Sequence, residues 1–203
     1  MLKSNNFTAV MYHGTAEVIK AFDPDRTGQG EDQYGSGFYF DSHKNHAEYY
    51  AHKSFNDLRG NTPNVVCAEI TLQNPIVVDG TEPTLECVEV TDKQAYDILN
   101  QIPGFFNPNI AENPLGDYIS NIWSHPPKSK YDFRRYISWL VAEFYHETNI
   151  RQLDFLCAKW PTEFRTAVKN VTGYDGVLIQ YPHSQQVVAW FPEQIKILSS
   201  SKC

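Results

Sequence analysis

Short apolar and aromatic runs broken by turns open the chain, and the third of them alternates between apolar and polar residues. Phe7 to Tyr12 ends at the letters HGT, Tyr34 to Phe40 reads YGSGFYF, and Val65 to Leu72 is closed by Asn74 and Pro75. Runs rich in β-branched and aromatic residues and bounded by Gly, Pro or Asn are typical of strands. The first two are expected to bring polar or aromatic end residues to one rim of a sheet.

The C-terminal segment returns to the strand pattern. The letters YDGVLIQY, a turn at PHSQ and QVVAWF predict a hairpin, which PEQIKIL follows. Alternation places Gln186, Val188 and Trp190 on one face of the last hairpin strand.

Helical patterns fill the middle of the chain. Composition predicts a helix from a Ser42 cap to Leu58 and another from Asp92 to Ile102. A second helical stretch after residue 150 is interrupted at Pro161, which opens a new helix ending at Gly173. The clearest buried helical face follows the spacing of Phe133, Tyr136, Ile137, Leu140, Val141, Phe144 and Tyr145.

The order of strands, helices and strands predicts an α+β fold with two packed sheets. The chain has 203 residues, of which 41% are hydrophobic, enough to bury the core of one domain. We therefore expect a single domain over residues 1–203. The Pro, Asn and Gly-rich stretch and the helices around it are interpreted as a helical insertion at about 80–170.

Charge and cysteine usage exclude several classes. The net charge is −7, from 24 acidic and 17 basic residues. A phosphate-tracking stripe of Lys and Arg is missing, which disfavours generic nucleic-acid binding. Apolar stretches fall short of the roughly 20 residues that span a bilayer, and the N-terminus lacks a secretory h-region, so we expect a cytoplasmic protein without membrane contact. Four widely spaced cysteines predict reduced thiols and no metal site.

Three segments offer candidate chemistry, each weak alone. His13 stands at a strand end before Gly14, where a ring can point into a cleft. Tyr39 and Tyr49 could hold a flat heterocycle between them, although ordinary core aromatics explain them equally well. Gln186 begins a strand, a place where glutamine usually faces solvent.

In order, however, these segments resemble the ADP-ribosyltransferase fold of the His-Tyr-Glu class. The likeness is closest to the phage and bacterial toxins, in which YHGT, GxGFYF, AxxYA, GYDGV and VVFxPxQIK recur together. The corresponding segments here are Tyr12 to Thr15, Gly35 to Phe40, Ala47 to Ala51, Gly173 to Val177 and Val187 to Lys196. The resemblance implies a split β-sandwich with a helical insertion, and NAD as co-substrate without a metal.

The resemblance also implies roles for single residues. His13 would hydrogen-bond a ribose hydroxyl of NAD, Gly14 would offer backbone groups to the nicotinamide amide, and Tyr39 and Tyr49 would sandwich its ring. Further contacts with NAD are expected from Thr15, Arg26, Ser36 and His46, with Arg26 directed at the pyrophosphate and His46 standing where the family often has a serine.

The catalytic glutamate of the family is replaced. Counting eight residues back from Gln194 gives Gln186. An amide still accepts the hydrogen bond of the ribose 2′-hydroxyl but loses its ionic part, a difference of about one decade in rate. We therefore expect transfer of a single ADP-ribose unit, with His13, Tyr39 and Gln186 as the catalytic residues.

The leading hypothesis is a mono-ADP-ribosyltransferase toxin or effector that modifies an intracellular protein or nucleic acid. The alternatives are a NAD glycohydrolase and a non-catalytic NAD-binding module. Four aromatic residues of the insertion would stack bases or, more simply, pack in a core: Phe105, Phe106, Trp123 and Trp139. An apolar face of the insertion could also receive an antitoxin or inhibitor protein.

Overall fold

The computed structural model describes residues 6–27, 34–58, 62–81, 88–103, 105, 150, 153–154, 157 and 160–203. Contacts divide the chain into two compact units. The first comprises residues 1–32, 36–83 and 174–203, and the second comprises 33–35 and 84–173.

The first unit holds all seven described strands and one helix. They are β1 (Phe7–Thr15), β2 (Phe38–Asp41), α1 (Lys44–Leu58), β3 (Asn64–Leu72), β4 (Ile76–Asp79), β5 (Gly176–Gln180), β6 (Gln185–Ala189) and β7 (Ile195–Lys202). Hydrogen bonds join the strands in the order β4-β5-β6-β2-β1-β3-β7. The β4–β5 pair is parallel and the others are antiparallel.

Alternation along the strands explains the buried face of this sheet. In β3, Val66, Ala68, Ile70 and Leu72 point into one hydrophobic cluster. Neighbouring strands add Met11, Phe38, Phe40, Leu178, Val187 and Ala189, and the segment after β1 adds Phe22. Burying side chains of this kind contributes about 1.5–3 kcal/mol each, so this cluster fixes the register of the sheet.

Helix α1 covers the opposite face of the sheet near β1. Its Ala47 and Ala51, one turn apart, are buried against Val65 and Tyr12. Small side chains let the helix backbone approach the strands closely, which fixes α1 over the ends of β1 and β2.

The second unit contains α2 (Asp92–Leu99) and α3 (Pro161–Thr172) among its described residues. Thr91 caps α2 in a capping box with Gln94. Pro161 stands in the first turn of α3, and Gly173 ends it in the left-handed conformation with φ 80°. The predicted opening and end of this helix are confirmed.

The predicted α+β class is confirmed by this mixture of one sheet and three described helices. The split sandwich and the assignment of 1–203 to one domain with an insertion stay predictions. The strand β4 was missed, because Asn74 and Pro75 read as the end of β3. The predicted helix over residues 133–145 lies outside the described residues. Within them, no helix is long and apolar enough to cross a membrane.

Candidate active site

The two central strands β1 and β2 meet at a single register pair. Tyr12 lies opposite Asp41, and the described residues show no further pair between these strands. By contrast, β1 pairs with β3 from Phe7 to Thr15, and all of β2 pairs with β6. The sheet therefore opens between β1 and β2 on the side of His13 and Tyr39.

The imidazole of His13 bridges this opening. Its Nδ1 lies 2.7 Å from the carbonyl oxygen of Tyr39. The ring also contacts Phe22 and Phe40, at centroid distances of 5.2 and 5.5 Å. Burial lowers the pKa of His13 below its usual 6.5, and the hydrogen bond to the Tyr39 carbonyl opposes that shift only partly.

This contact determines what His13 can do chemically. A carbonyl only accepts, so Nδ1 must carry the proton and donate it. In the neutral ring, which the lowered pKa favours, Nε2 is then an acceptor. His13 can thus accept a hydrogen bond from a hydroxyl group.

Gly14 faces the backbone of α1. A Cβ atom at this position would lie 1.9 Å from the carbonyl oxygen of Ala47 and 2.7 Å from the amide nitrogen of Ala51. No side chain fits there, so packing alone explains the glycine. Its predicted contact with nicotinamide stays a prediction.

Gln186 is hydrogen-bonded to a buried carboxylate. It lies directly opposite Asp41 in the β2–β6 register, and its Nε2 donates to Asp41 Oδ2 at 3.0 Å. Only 6% of the Asp41 side chain is exposed. Because an ionised carboxylate can only accept, the amide nitrogen of Gln186 must face Asp41. The oxygen Oε1 then points away, toward the Tyr181 hydroxyl 3.5 Å off.

Two histidines share the same carboxylate. Asp41 Oδ1 accepts the main-chain N–H of His43 at 2.7 Å, and Oδ2 lies 3.2 Å from Nδ1 of His46. The ring of His43 is also near, with Nδ1 3.7 Å from Oδ1. His46, predicted to contact NAD, is therefore tied to Asp41 in this structure.

Tyr39 and the two tyrosines of α1 lie on the same side of the sheet. Tyr39 precedes Asp41 by two residues, so alternation puts its side chain on the face of Tyr12, which α1 covers. Tyr49 is 66% exposed, and helical spacing of about 100° per residue turns it away from the buried alanines. Tyr50 is 48% exposed and flanks Ala51 on the side of His46.

The remaining predicted contacts have local partners. Arg26 forms an ion pair with Glu17, whose pKa the hydrogen bond from Arg26 lowers. Thr15 Oγ1 accepts the main-chain N–H of Glu17 at 3.4 Å. Ser36 is buried. None of these contacts tests the predicted roles of the three residues toward NAD.

The motif residues of the C-terminal part serve the fold. Gln194 is buried, and its amide nitrogen donates to the carbonyl of Asp175 at 2.7 Å. The Asp175 carboxylate accepts the main-chain N–H groups of Gln73 and Asn74, at 2.7 and 2.9 Å. The GYDGV and PEQIK segments are thus joined by one side-chain network.

The structure brings the three predicted catalytic residues onto adjacent strands, but not onto one face. Tyr39 and Gln186 share the face of α1, whereas His13 points to the face of Phe40 and meets Tyr39 only through its carbonyl. Sequence analysis missed Asp41, because no sequence motif indicates that it pairs with Gln186 across the strands. It named Tyr49 and not Tyr50, whereas the AxxYA spacing counted from Ala47 ends on Tyr50, so both tyrosines of α1 stay candidates.

A family model described as "ADP-Ribosyltransferase in polyvalent proteins" matches residues 7–202. Comparison with curated proteins and with solved structures gives no significant match.

Proposed function

The chain belongs to the ADP-ribosyltransferases of polyvalent proteins, and from this premise we propose that it is a mono-ADP-ribosyltransferase. It takes NAD as co-substrate, releases nicotinamide and transfers one ADP-ribose unit to an intracellular protein or nucleic acid. The reaction poisons or reprograms a bacterial cell, as a phage or bacterial toxin or effector does.

The observation that carries this proposal is the hydrogen bond between Gln186 and Asp41. The resemblance predicts a carboxylate at residue 186. This chain has a glutamine there, and the carboxylate of Asp41 lies directly opposite it on the neighbouring strand. The pair combines an acceptor oxygen, Gln186 Oε1, with a buried negative charge beside it. This restores much of the electrostatic stabilisation that replacement of the glutamate removes.

Two acceptor atoms suit the hydroxyl groups of a nicotinamide ribose. Gln186 Oε1, on the face that α1 covers, accepts a hydrogen bond from the 2′-hydroxyl. His13 faces the other side of the sheet, so its Nε2 accepts from a ribose hydroxyl that enters the opening between β1 and β2. Tyr39 and a tyrosine of α1 hold the nicotinamide ring between them. Arg26 releases Glu17 and pairs with the pyrophosphate, a charge-assisted contact.

These residues act mainly on the transition state. The bond between C1′ and the nicotinamide nitrogen breaks, and its electron pair leaves with nicotinamide. Positive charge develops at C1′, where the Asp41 carboxylate stabilises it through the oriented amide of Gln186. A nucleophilic atom of the acceptor then bonds to C1′ and gives up its proton. No metal takes part in these steps.

The experiment starts from purified protein and radiolabelled NAD. Nicotinamide release is measured with buffer alone, with cell lysate, and with lysate treated with RNase or DNase, and label is counted in each macromolecular fraction. Label retained in one fraction identifies the acceptor class. His13→Ala and Tyr39→Ala should abolish it, whereas Glu193→Ala, an exposed position outside the site, should not.

Two other outcomes contradict the proposal. Nicotinamide release without macromolecular label identifies a NAD glycohydrolase. No release in any lysate, from protein that still binds NAD, identifies a non-catalytic NAD-binding module or a site that needs an activating partner. Co-purification with a protein that suppresses the release would in addition identify the antitoxin or inhibitor that a toxin acting in the cytoplasm requires.

A further inference from the structure

Asp41, His43 and His46 form a cluster at the start of α1. One ligand atom from each residue lies within 4.8 Å of the other two. His46 Nδ1 is 3.2 Å from Asp41 Oδ2, and His43 Nδ1 is 3.7 Å from Asp41 Oδ1. We propose that these three side chains bind a divalent transition-metal ion, with zinc as the best fit.

The distances suit zinc. Zinc takes nitrogen and oxygen ligands at about 2.0–2.2 Å in a tetrahedron, which separates ligand atoms by about 3.3 Å. The separation of His46 Nδ1 from Asp41 Oδ2 already has this value. His43 Nδ1 lies 3.7 Å from the other oxygen, Oδ1, and 3.1 Å from Ser42 Oγ, so the His43 ring must turn from Ser42 for all three ligands to reach one ion. Three protein ligands leave a fourth position for water. Two imidazole nitrogens disfavour magnesium and calcium, which prefer oxygen.

The carboxylate is held in the way that metal-binding carboxylates are held. Ligating carboxylates are themselves hydrogen-bonded, and these outer contacts fix their orientation. Asp41 Oδ1 accepts the main-chain N–H of His43, and Oδ2 accepts the side-chain amide of Gln186. Each oxygen retains a second lone pair for an ion.

The charge and the exposure of the three side chains also favour a bound metal ion. The Asp41 side chain is 6% exposed, while those of His43 and His46 are 47% and 48% exposed. Within the described ranges, Asp41 makes ion-pair contacts with these two histidines and with no lysine or arginine. Buried carboxylates are paired with cations or coordinate metals. The site therefore has a buried anionic base and two solvent-facing imidazoles that an ion can reach.

Occupancy of this site affects catalysis, a consequence that rests on the proposed function. The ion shares Asp41 with Gln186 and withdraws negative charge from the carboxylate. The amide of Gln186 then offers less stabilisation to positive charge at C1′. Bound zinc should slow nicotinamide release, which makes the site regulatory and departs from the sequence prediction of no metal site.

The first test measures binding directly. Tag-free protein, stripped with chelator, is titrated with Zn²⁺ by calorimetry and with Co²⁺ by visible absorption. We expect one ion per chain, and affinity at least about ten-fold weaker in His43→Ala and in His46→Gln. His183→Ala, which removes an exposed histidine outside the cluster, should bind as wild type does.

Unchanged affinity in both cluster variants overturns the proposal. So does an intense near-ultraviolet charge-transfer band with Co²⁺, because that band assigns the ion to a thiolate such as exposed Cys203. Identical far-ultraviolet circular dichroism of the metal-free variants and wild type ensures that a loss of binding is not a loss of folding.

The second test separates the site from its effect. Zn²⁺ should slow nicotinamide release by wild type, while His43→Ala keeps the metal-free rate at the same Zn²⁺ concentration. Equal inhibition of both proteins overturns the regulatory role. Absence of any nicotinamide release contradicts the proposed function and leaves the calorimetric result to stand alone.

Discussion

Gln194 and Asp175 form a buried link between the β6–β7 connection and the start of β5. The amide nitrogen of Gln194 lies 2.7 Å from the Asp175 carbonyl oxygen and 3.2 Å from its Oδ2. The amide oxygen accepts the main-chain N–H groups of Trp190 and Phe191, both at 2.9 Å. One side chain therefore satisfies three main-chain groups that no strand pairing serves.

Gln194→Ala should destabilise the fold without touching the proposed NAD contacts. It leaves the buried Trp190 N–H and the buried Asp175 carbonyl unpaired, each at a cost of about 1–3 kcal/mol, so the free energy of unfolding should fall by about 2–6 kcal/mol. Chemical denaturation monitored by circular dichroism measures this. Glu193→Ala, the exposed neighbour, should change stability by no more than about 0.5 kcal/mol. Equal effects of the two substitutions would show that the hydrogen bonds of Gln194 do not stabilise the fold.

Gly14→Ala should also destabilise the protein. The new methyl group would overlap the Ala47 carbonyl and the Ala51 amide, and backbone atoms of a packed helix cannot rotate away. Overpacking of this kind costs about 1–3 kcal/mol and more where backbone must shift. Val10→Ala on the same strand, where the side chain is 50% exposed, is the control. A Gly14→Ala protein with the stability of Val10→Ala would show that α1 does not pack there as described.

Local patterns carry enough information for most elements but not for the site. Runs of alternating residues predict the strands at both ends, and Pro161 and Gly173 predict the bounds of α3. The partnership of Asp41 with Gln186 depends on strand register, which is set by the packing of the whole hydrophobic cluster and cannot be read from either segment. For the same reason a glutamine at a strand start looked like a solvent-facing residue.

The pH dependence of stability should reveal His13. Its pKa is lowered by burial in the folded chain, whereas the unfolded chain takes up the proton near pH 6.5. The unfolded state thus binds more protons just below this pH, so the free energy of unfolding falls as pH drops from about 6.5 and levels off once the folded form is protonated too. His13→Asn cannot titrate, and its amide can still donate to the Tyr39 carbonyl.

The measurement compares unfolding of wild type and His13→Asn over pH 5 to 8. The free energy of unfolding of wild type should fall relative to that of His13→Asn as the pH drops below about 6.5. A proton NMR titration of the His13 ring gives an independent check. A His13 midpoint at or above 6.5 would be incompatible with the burial argument.

The two tyrosines of α1 can be told apart by activity. Tyr50 lies beside the buried alanine stripe, and Tyr49 points away from it, so Tyr50 is better placed to close over Tyr39. We expect Tyr50→Ala to raise the KM for NAD by about ten-fold, the loss of roughly 1–1.5 kcal/mol of aromatic stacking. Tyr49→Ala is the matched control, since it removes the same ring one residue away. The reverse result would support the sequence prediction of Tyr49.

The charge arrangement at Asp41 and Gln186 can be inverted. Asp41→Asn removes the buried charge, and we expect nicotinamide release to slow by at least about ten-fold, or 1.4 kcal/mol. Gln186→Glu supplies the glutamate that the sequence resemblance predicts but sets two carboxylates about 3 Å apart, where like charges repel strongly. It should therefore be slower than wild type rather than faster. The double variant Asp41→Asn/Gln186→Glu again has one amide and one carboxylate, but the amide at residue 41 now donates to the carboxylate at residue 186.

The double variant should recover most of the wild-type rate, which neither single variant does. Initial rates of nicotinamide release are measured in chelator, so that occupancy of the metal site does not enter. Glu193→Gln, an exposed charge loss outside the pair, controls for net charge. If Gln186→Glu alone exceeds wild type, a glutamate works beside Asp41 without penalty, and the carboxylate across the strand pair has no part in the chemistry.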